Sequence, residues 1–172
     1  EDKLGYLWIG FYGGGVAQFD GIKFTVYNIS DGLVNNIVNE IYIDNDNTVW
    51  ITTIKGISWY YNNEFRNISL PYVPLGYKLI ETEQDFIVYT VGESFIYLIN
   101  KNKLSKKREL GSVLKSGIKK IFKSDTGIYI QTISGKLFHQ LDGIYHEVLL
   151  KEKIETAFLY RNKLVIVSNG LA

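Results

Sequence analysis

Cysteine is missing from the 172-residue sequence. Disulfides, thiolate metal sites and a cysteine nucleophile are therefore excluded, and the redox compartment stays open. Neither charge sign is in excess, with 19 Lys plus Arg against 18 Asp plus Glu. That balance excludes the basic footprint of a nucleic-acid binder and gives no reason to expect direct membrane contact. The basic run at 101–110 reads as a solvated hairpin. No apolar run approaches the ~20 residues of a membrane helix, and the opening "EDKLGYLWIG" has no signal-peptide pattern. Histidine occurs twice, at His139 and His146, with no accompanying carboxylate cluster, so no zinc site and no other metal or cofactor is expected. Helical periodicity is scarce as well. The best candidate, 149–162, reads as the start of a strand.

What is plentiful is strand-forming sequence. Proline occurs only twice, while aromatic residues make up 15% of the chain, led by 13 Tyr and 9 Phe. A phrase also repeats. "LWIGFYGGGVAQFDGIKFTVY" (7–27) aligns with "VWITTIKGISWYYNNEFRNI" (49–68), which sets Trp8 and Trp50 42 positions apart. A later copy, "IYIQTISGKLFHQLDGIYHEV" (128–148), has Tyr129 at the tryptophan position. A weaker copy at 86–110 has Ile87 there, and a fifth start at 163–171 has Leu164. Gly56 and Gly135 both fall six residues after the aromatic position.

Each unit reads as four short strands. In the second these are 35–44, 49–54, 57–61 and 64–68. Tight turns at Asn62-Asn63, Asp20-Gly21, 142–143 and 100–102 carry residues that tolerate positive φ. Four-stranded units at a period of about 40 residues predict an all-β fold, a β-propeller of four-stranded blades. A blade is covered on both faces, which explains why "VWITTI" is apolar on both parities. An immunoglobulin-like sandwich predicts no such repeat. The blade repeats run roughly 1–33 (partial), 34–75, 76–115, 116–152 and 153–172 (partial). Because the sequence starts and stops within this pattern, we expect an excerpt of four to five blades from a larger propeller. Its open faces should pair with neighbouring blades or with a second copy of the chain.

Candidate chemistry is thin. The glycines at 13–15 lack the surroundings of a phosphate loop and read as a turn. The acidic stretch 44–48 lacks the glycine and glutamate of a calcium loop and also reads as a turn. Asp31, Glu40 and Glu93 show no spacing that selects a hydrolytic pair, and no Gly-x-Ser-x-Gly occurs. Asn28-Ile-Ser and Asn67-Ile-Ser are glycosylation sequons by form.

The residues Gly5, Leu7, Trp8, Ile9, Gly10, Gly14, Gly15, Phe19, Phe24 and Tyr27 carry one pattern. It continues through Gly32, Leu33, Ile41, Asp44, Trp50, Thr53 and Gly56. This pattern resembles the two-component regulator propeller repeat. The resemblance implies a non-catalytic sensor segment from the periplasmic part of a Bacteroidetes hybrid histidine kinase. In that family two seven-bladed propellers precede an immunoglobulin-like domain, a membrane helix and kinase modules, and many members respond to oligosaccharides. The longer loops, those after the second and fourth strands of each unit, are where a ligand is expected. There, Tyr12, Lys55, Tyr72, Tyr77 and Glu93 are the candidates for stacking on sugar faces and bonding hydroxyls. Tyr72 and Tyr77 have an equal claim to pack the blade junction. A protein-interaction propeller is the alternative, and a glycan lyase or hydrolase is a further one.

Overall fold

A computed structural model describes residues 1–83, 85–100, 103–110, 114–141, 144–149 and 154–168. Its strands form five antiparallel sheets, each connected only between sequence neighbours. Blade 1 is β1 (Leu7–Phe11), β2 (Gly15–Phe19) and β3 (Phe24–Tyr27). Blade 2 comprises β4 (Val38–Ile43), β5 (Val49–Thr53), β6 (Gly56–Tyr61) and β7 (Glu64–Ser69). Blade 3 comprises β8 (Lys78–Glu81), β9 (Phe86–Tyr89), β10 (Phe95–Asn100) and β11 (Lys103–Glu109). Blade 4 comprises β12 (Ile118–Ser124), β13 (Gly127–Thr132), β14 (Leu137–Leu141) and β15 (Ile144–Glu147). Blade 5 shows β16 (Ile154–Tyr160) and β17 (Lys163–Ser168). These are propeller blades: β1 packs on β4, β4 on β8, β8 on β12 and β12 on β16, which places the first strands of blades 2 to 5 along the inner edge.

The core lies between blades rather than within one. Trp50, Ile57 and Trp59 of blade 2 meet Phe86, Val88, Tyr97 and Ile99 of blade 3. Ile87, Tyr89 and Ile96 on the other side of blade 3 meet Ile118, Ile121, Ile130 and Phe138 of blade 4. Every residue of β5 and β9 is consequently buried, on both parities. Burial of such side chains, at about 1.5–3 kcal/mol each, is the main stabilising contribution.

One turn is built twice from the same parts. Asp44 Oδ1 accepts the backbone N–H groups of Asp46 and Thr48 at 2.9 Å each, and its Oδ2 accepts Trp50 Nε1–H at 2.9 Å. Asp2 does the same with Leu4 (2.9 Å), Tyr6 (3.0 Å) and Trp8 Nε1 (3.0 Å). The stretch 44–48 is thus a turn capped by its own aspartate. In blade 4 Ser124 takes over, accepting Thr126 N–H, while Tyr129 bonds the Thr126 hydroxyl.

The junctions are stitched in a recurring way. Gly13 and Gly15 N–H both donate to Asn36 O, Tyr77 N–H donates to Thr53 O, Gly92 N–H to Ile118 O, and Ile154 N–H to Gly135 O. In each case the turn after a blade's second strand receives the start of the next blade. The triple glycine is therefore a seating turn. Gly15, at φ +80°, has the carbonyl of Tyr27 2.1 Å from where a Cβ would sit, so only glycine fits. Three inner strands, β4, β12 and β16, are bulged at the same place. There Asn39 Nδ2 donates to Tyr77 O at 2.6 Å and Lys119 Nζ to Glu155 O at 2.8 Å, each in the following blade.

Two details differ from the sequence expectation. Equal spacing from the aromatic position puts His139 in the slot of Tyr60, but it takes that of Trp59: Tyr129 pairs with His139 as Trp50 pairs with Trp59. The turn before β14 is one residue longer than the one before β6, so Gly135 is not the counterpart of Gly56. His139 keeps the wedge role, its ring stacked on Tyr129 at 4.2 Å and 5°. The Asp20-Gly21 turn is a four-residue loop in which Asp20 Oδ1 accepts Ile22 and Lys23 N–H and Asp20 N–H donates to Lys23 O. Asn62-Asn63 does form the expected two-residue hairpin, with φ of 51° and 62°. The turns at 142–143 and 101–102 lie outside the described residues.

Candidate functional site: the clefts between blades

The expected ligand residues sit at one end of the blades, but they are not equivalent. Tyr12, in the turn after β1, is 85% exposed and forms a single bridge with Ile37. Lys55, after β5, and Glu93, after β9, are exposed in turns whose backbone is committed: Lys55 O accepts Leu70 N–H and Glu93 O accepts Ile118 N–H. Tyr72, after β7, is 60% exposed. Tyr77 is a correction. It has no exposed surface, its ring meets Tyr97 edge-on, and its hydroxyl donates to Pro71 O at 2.6 Å. Burial and the nearby Glu93 charge push its phenol well above the ordinary range. It packs a junction, as the second sequence reading allowed, because the loop bends inward at Gly76 (φ +67°) to start β8.

Two inter-blade cavities open at the opposite end, among the turns after first and third strands. The first, about 560 Å³, lies between blades 1 and 2. Trp8, Tyr27 and Tyr60 form its wall. Trp8 stacks with Tyr27 at 6.1 Å and tilts against Tyr60 at 5.1 Å, and the two phenols approach to 3.4 Å. Burial and the Tyr60 contact raise the Tyr27 phenol far above its usual value, so it stays a neutral donor, and it points at Gln18 Oε1 at 3.2 Å. Around the rim stand Asn47, Asn62 and Asn63, all with positive φ, while Tyr60 donates to Asn63 Oδ1 at 3.2 Å. The three rings are only half-buried. A ring wall with an amide rim offers a flat apolar surface beside fixed hydrogen-bonding groups.

The equivalent wedge between blades 2 and 3 is filled. Trp50 stacks with Trp59 at 5.3 Å and lies 4.4 Å from Phe86, and Trp50 is only 1% exposed. Between blades 3 and 4 the positions of Trp50 and Trp59 are held by Ile87 and Leu98, and a cavity of about 340 Å³ opens. Register explains the difference: a smaller side chain in the wedge leaves a void that nothing else fills.

Two of the carboxylates weighed as catalysts make structural hydrogen bonds. Asp31 Oδ2 accepts Asn28 N–H and Glu40 Oε2 accepts Leu79 N–H at 3.2 Å. Asn28 and Asn67, the sequon positions, accept Ser30 N–H and donate to Gly32 O respectively. No group of three or more His, Cys, Asp or Glu suited to a metal ion occurs among the described residues. Among the same residues, no helix is long and apolar enough to cross a membrane.

Fold and clefts together define a class: a run of β-propeller blades with binding-sized clefts at the blade junctions. Within it, residues 32–55, which contain the Asp44–Trp50 turn, match the two component regulator propeller family, so this stretch carries that repeat. Two solved structures from B. thetaiotaomicron show the same fold. One, the extracellular domain of a hybrid two component system, has a TM-score of 0.74 at 18% identity and is covered over 98% of this chain and 25% of its own. The other, described as the extracellular domain of a one component system, has a TM-score of 0.69 at 19% identity, with 96% and 25% covered. The chain thus spans about a quarter of the length of these structures. No curated protein matches it.

Proposed function

We propose that the chain is a non-catalytic, extracytoplasmic sensor segment of a bacterial two-component receptor, and that it recognises an oligosaccharide in the cleft between blades 1 and 2. The observation that carries the reading is the Trp8–Tyr27–Tyr60 wall beside Asn47, Asn62 and Asn63. Sugar rings present apolar C–H faces and equatorial hydroxyls, which such a wall and rim complement. The extracellular origin of the matched structures supports an extracytoplasmic location, which we assign to the periplasm. Signalling requires that ligand favour one receptor arrangement over another.

Calorimetric titration of the chain against a panel of neutral oligosaccharides tests this. Binding should weaken at least about tenfold in Tyr60→Ala, while Tyr72→Ala and Lys55→Ala leave it unchanged. Silence across the panel sinks the oligosaccharide reading. Loss on Tyr72→Ala with Tyr60→Ala silent returns the site to the long-loop end.

A specific observation also favours a protein partner. The outward face of blade 1 shows Leu7 (42% exposed), Ile9 (39%) and Phe11 (43%) in a row, flanked by Phe24 and Val26. We propose that a neighbouring blade or a second copy of the chain covers this face.

A further inference from the structure

We propose that the cleft between blades 1 and 2 takes a single pyranose ring in the place that the Trp59 indole fills one junction further on, and that Gln18 and Val49 keep this place open and select its occupant. This placement rests on the oligosaccharide reading of the cleft and adds where the sugar sits and which side chains choose it.

Strand register makes the two junctions comparable. Trp8 pairs with Gln18 as Trp50 pairs with Trp59, and both tryptophans face the following blade. On that following blade, Val49 pairs with Ile43 where Phe86 pairs with Glu81. In the filled wedge Trp59 stacks on Trp50 at 5.3 Å and Phe86 lies 4.4 Å from Trp50. Between blades 1 and 2 Gln18 and Val49 stand in the places of those two rings, and both line the cavity of about 560 Å³. A side chain that shrinks with no neighbour growing into its space leaves a void. One neighbour does grow: Tyr60, the partner of Val49, replaces Ile99, the partner of Phe86. Its ring, 5.1 Å from Trp8, narrows the void without closing it.

The remaining space is bounded below and outside. Val16 and Val49, both buried, form the floor. Phe65 closes the outer side, edge-on to Tyr27 at 5.3 Å and tilted on Tyr60 at 4.9 Å. A ring therefore enters from the asparagine rim and comes to lie on Trp8, which reproduces the Trp50–Trp59 contact. A pyranose differs from an indole in carrying hydroxyls around its edge, and these need partners. That is the difference between Gln18 and Trp59, because an amide brings both donors and an acceptor. The Gln18 amide is held in turn by a wall residue, its Oε1 accepting the Tyr27 hydroxyl at 3.2 Å.

The test compares the 172-residue chain with Gln18→Trp and Val49→Phe, each of which restores one missing ring. Calorimetric titrations use cellohexaose, maltohexaose, mannohexaose and xylohexaose. Any of these that binds the unaltered chain should lose at least about tenfold in affinity in Gln18→Trp. The same variant, by filling the void, should raise Tm by about 2–4 °C. Gln18→Leu, which keeps the volume and removes the amide, should also weaken binding at least about tenfold, with an unchanged circular dichroism spectrum. If Gln18→Trp does not fold, Val49→Phe decides, with the same expected loss of affinity. Sugar binding that survives the filling variants overturns the placement and leaves the oligosaccharide reading intact. Silence of the unaltered chain towards every sugar removes the oligosaccharide reading, and the placement with it.

Discussion

The Asp-to-Trp turn occurs in two settings, and the same substitution in each should have different consequences. Asp44 is 3% exposed and Trp50 1%, in a filled wedge. Asp44→Ala removes the acceptor from two backbone N–H groups and from an indole N–H that water cannot reach. The stranded indole N–H costs about 1–3 kcal/mol. Losing two charge-assisted bonds in a partly exposed turn, where water recovers part of the loss, brings the total to about 3–5 kcal/mol. Asp2→Ala removes the same three bonds, but Asp2 and Trp8 both line the blade 1–2 cleft, where water can replace the carboxylate. Its cost should be about 1–2 kcal/mol. For a domain of this size, 1 kcal/mol moves Tm by about 2–4 °C. Asp44→Ala should therefore lower Tm by roughly 6–20 °C, and Asp2→Ala by no more than roughly 8 °C. Thermal unfolding followed by tryptophan fluorescence reads both. Equal shifts, or a larger one for Asp2→Ala, would refute the reasoning that burial of the indole sets the cost.

Gly15→Ala should destabilise by about 3 kcal/mol or more, because its Cβ meets Tyr27 O at 2.1 Å. Gly13→Ala, with φ +102° and nothing within 4 Å, should cost only about 1 kcal/mol, and urea midpoints compare the two. Alkali should destabilise the chain in the interval between about pH 10 and pH 12. Burial pushes Tyr89 up to about 12, and Tyr27, Tyr42 and Tyr77 also move upward. A raised folded-state value means that the neutral phenol stabilises the fold in full below pH 10, the unperturbed value, and that this contribution is lost as pH climbs towards 12. Absorbance at about 295 nm should show these phenols ionising late and together with loss of structure; free titration near pH 10 in a folded chain would contradict it. The triple variant Leu7→Ser/Ile9→Lys/Phe11→Ser should shift the chain towards monomer in light scattering, and unchanged association would place the contact elsewhere.

The fold was readable because it is periodic. Trp8 and Trp50, 42 residues apart, fix the second strand of two blades, and Tyr129, Ile87 and Leu164 occupy the second strands of the others. Where periodicity slips, reading fails: an inserted residue before β14 kept glycine at the same spacing and displaced His139 by one. The aspartate caps were partly visible, since Asp2 and Asp44 each precede tryptophan by six, but the bond from carboxylate to indole is a property of the folded turn. The clefts were hidden for a different reason. Their walls combine residues far apart in sequence, such as Arg108 with Tyr145, and their existence depends on what a neighbouring blade fails to fill. Long loops drew attention as ligand sites, yet Tyr77 shows that a loop aromatic can be the most buried ring in its surroundings.

The side-chain contacts between successive blades give the chain a direction. Asn39, Glu40 and Tyr42 reach from blade 2 to Tyr77, Leu79 and Glu81 of blade 3; Tyr89 reaches from blade 3 to Ile121 of blade 4; Lys119 reaches from blade 4 to Glu155 of blade 5. Each finished blade thus extends ready-made acceptors and donors towards sequence that emerges later from the ribosome. Assembly of such a chain can proceed in the order of synthesis, each new inner strand being caught by the one before it.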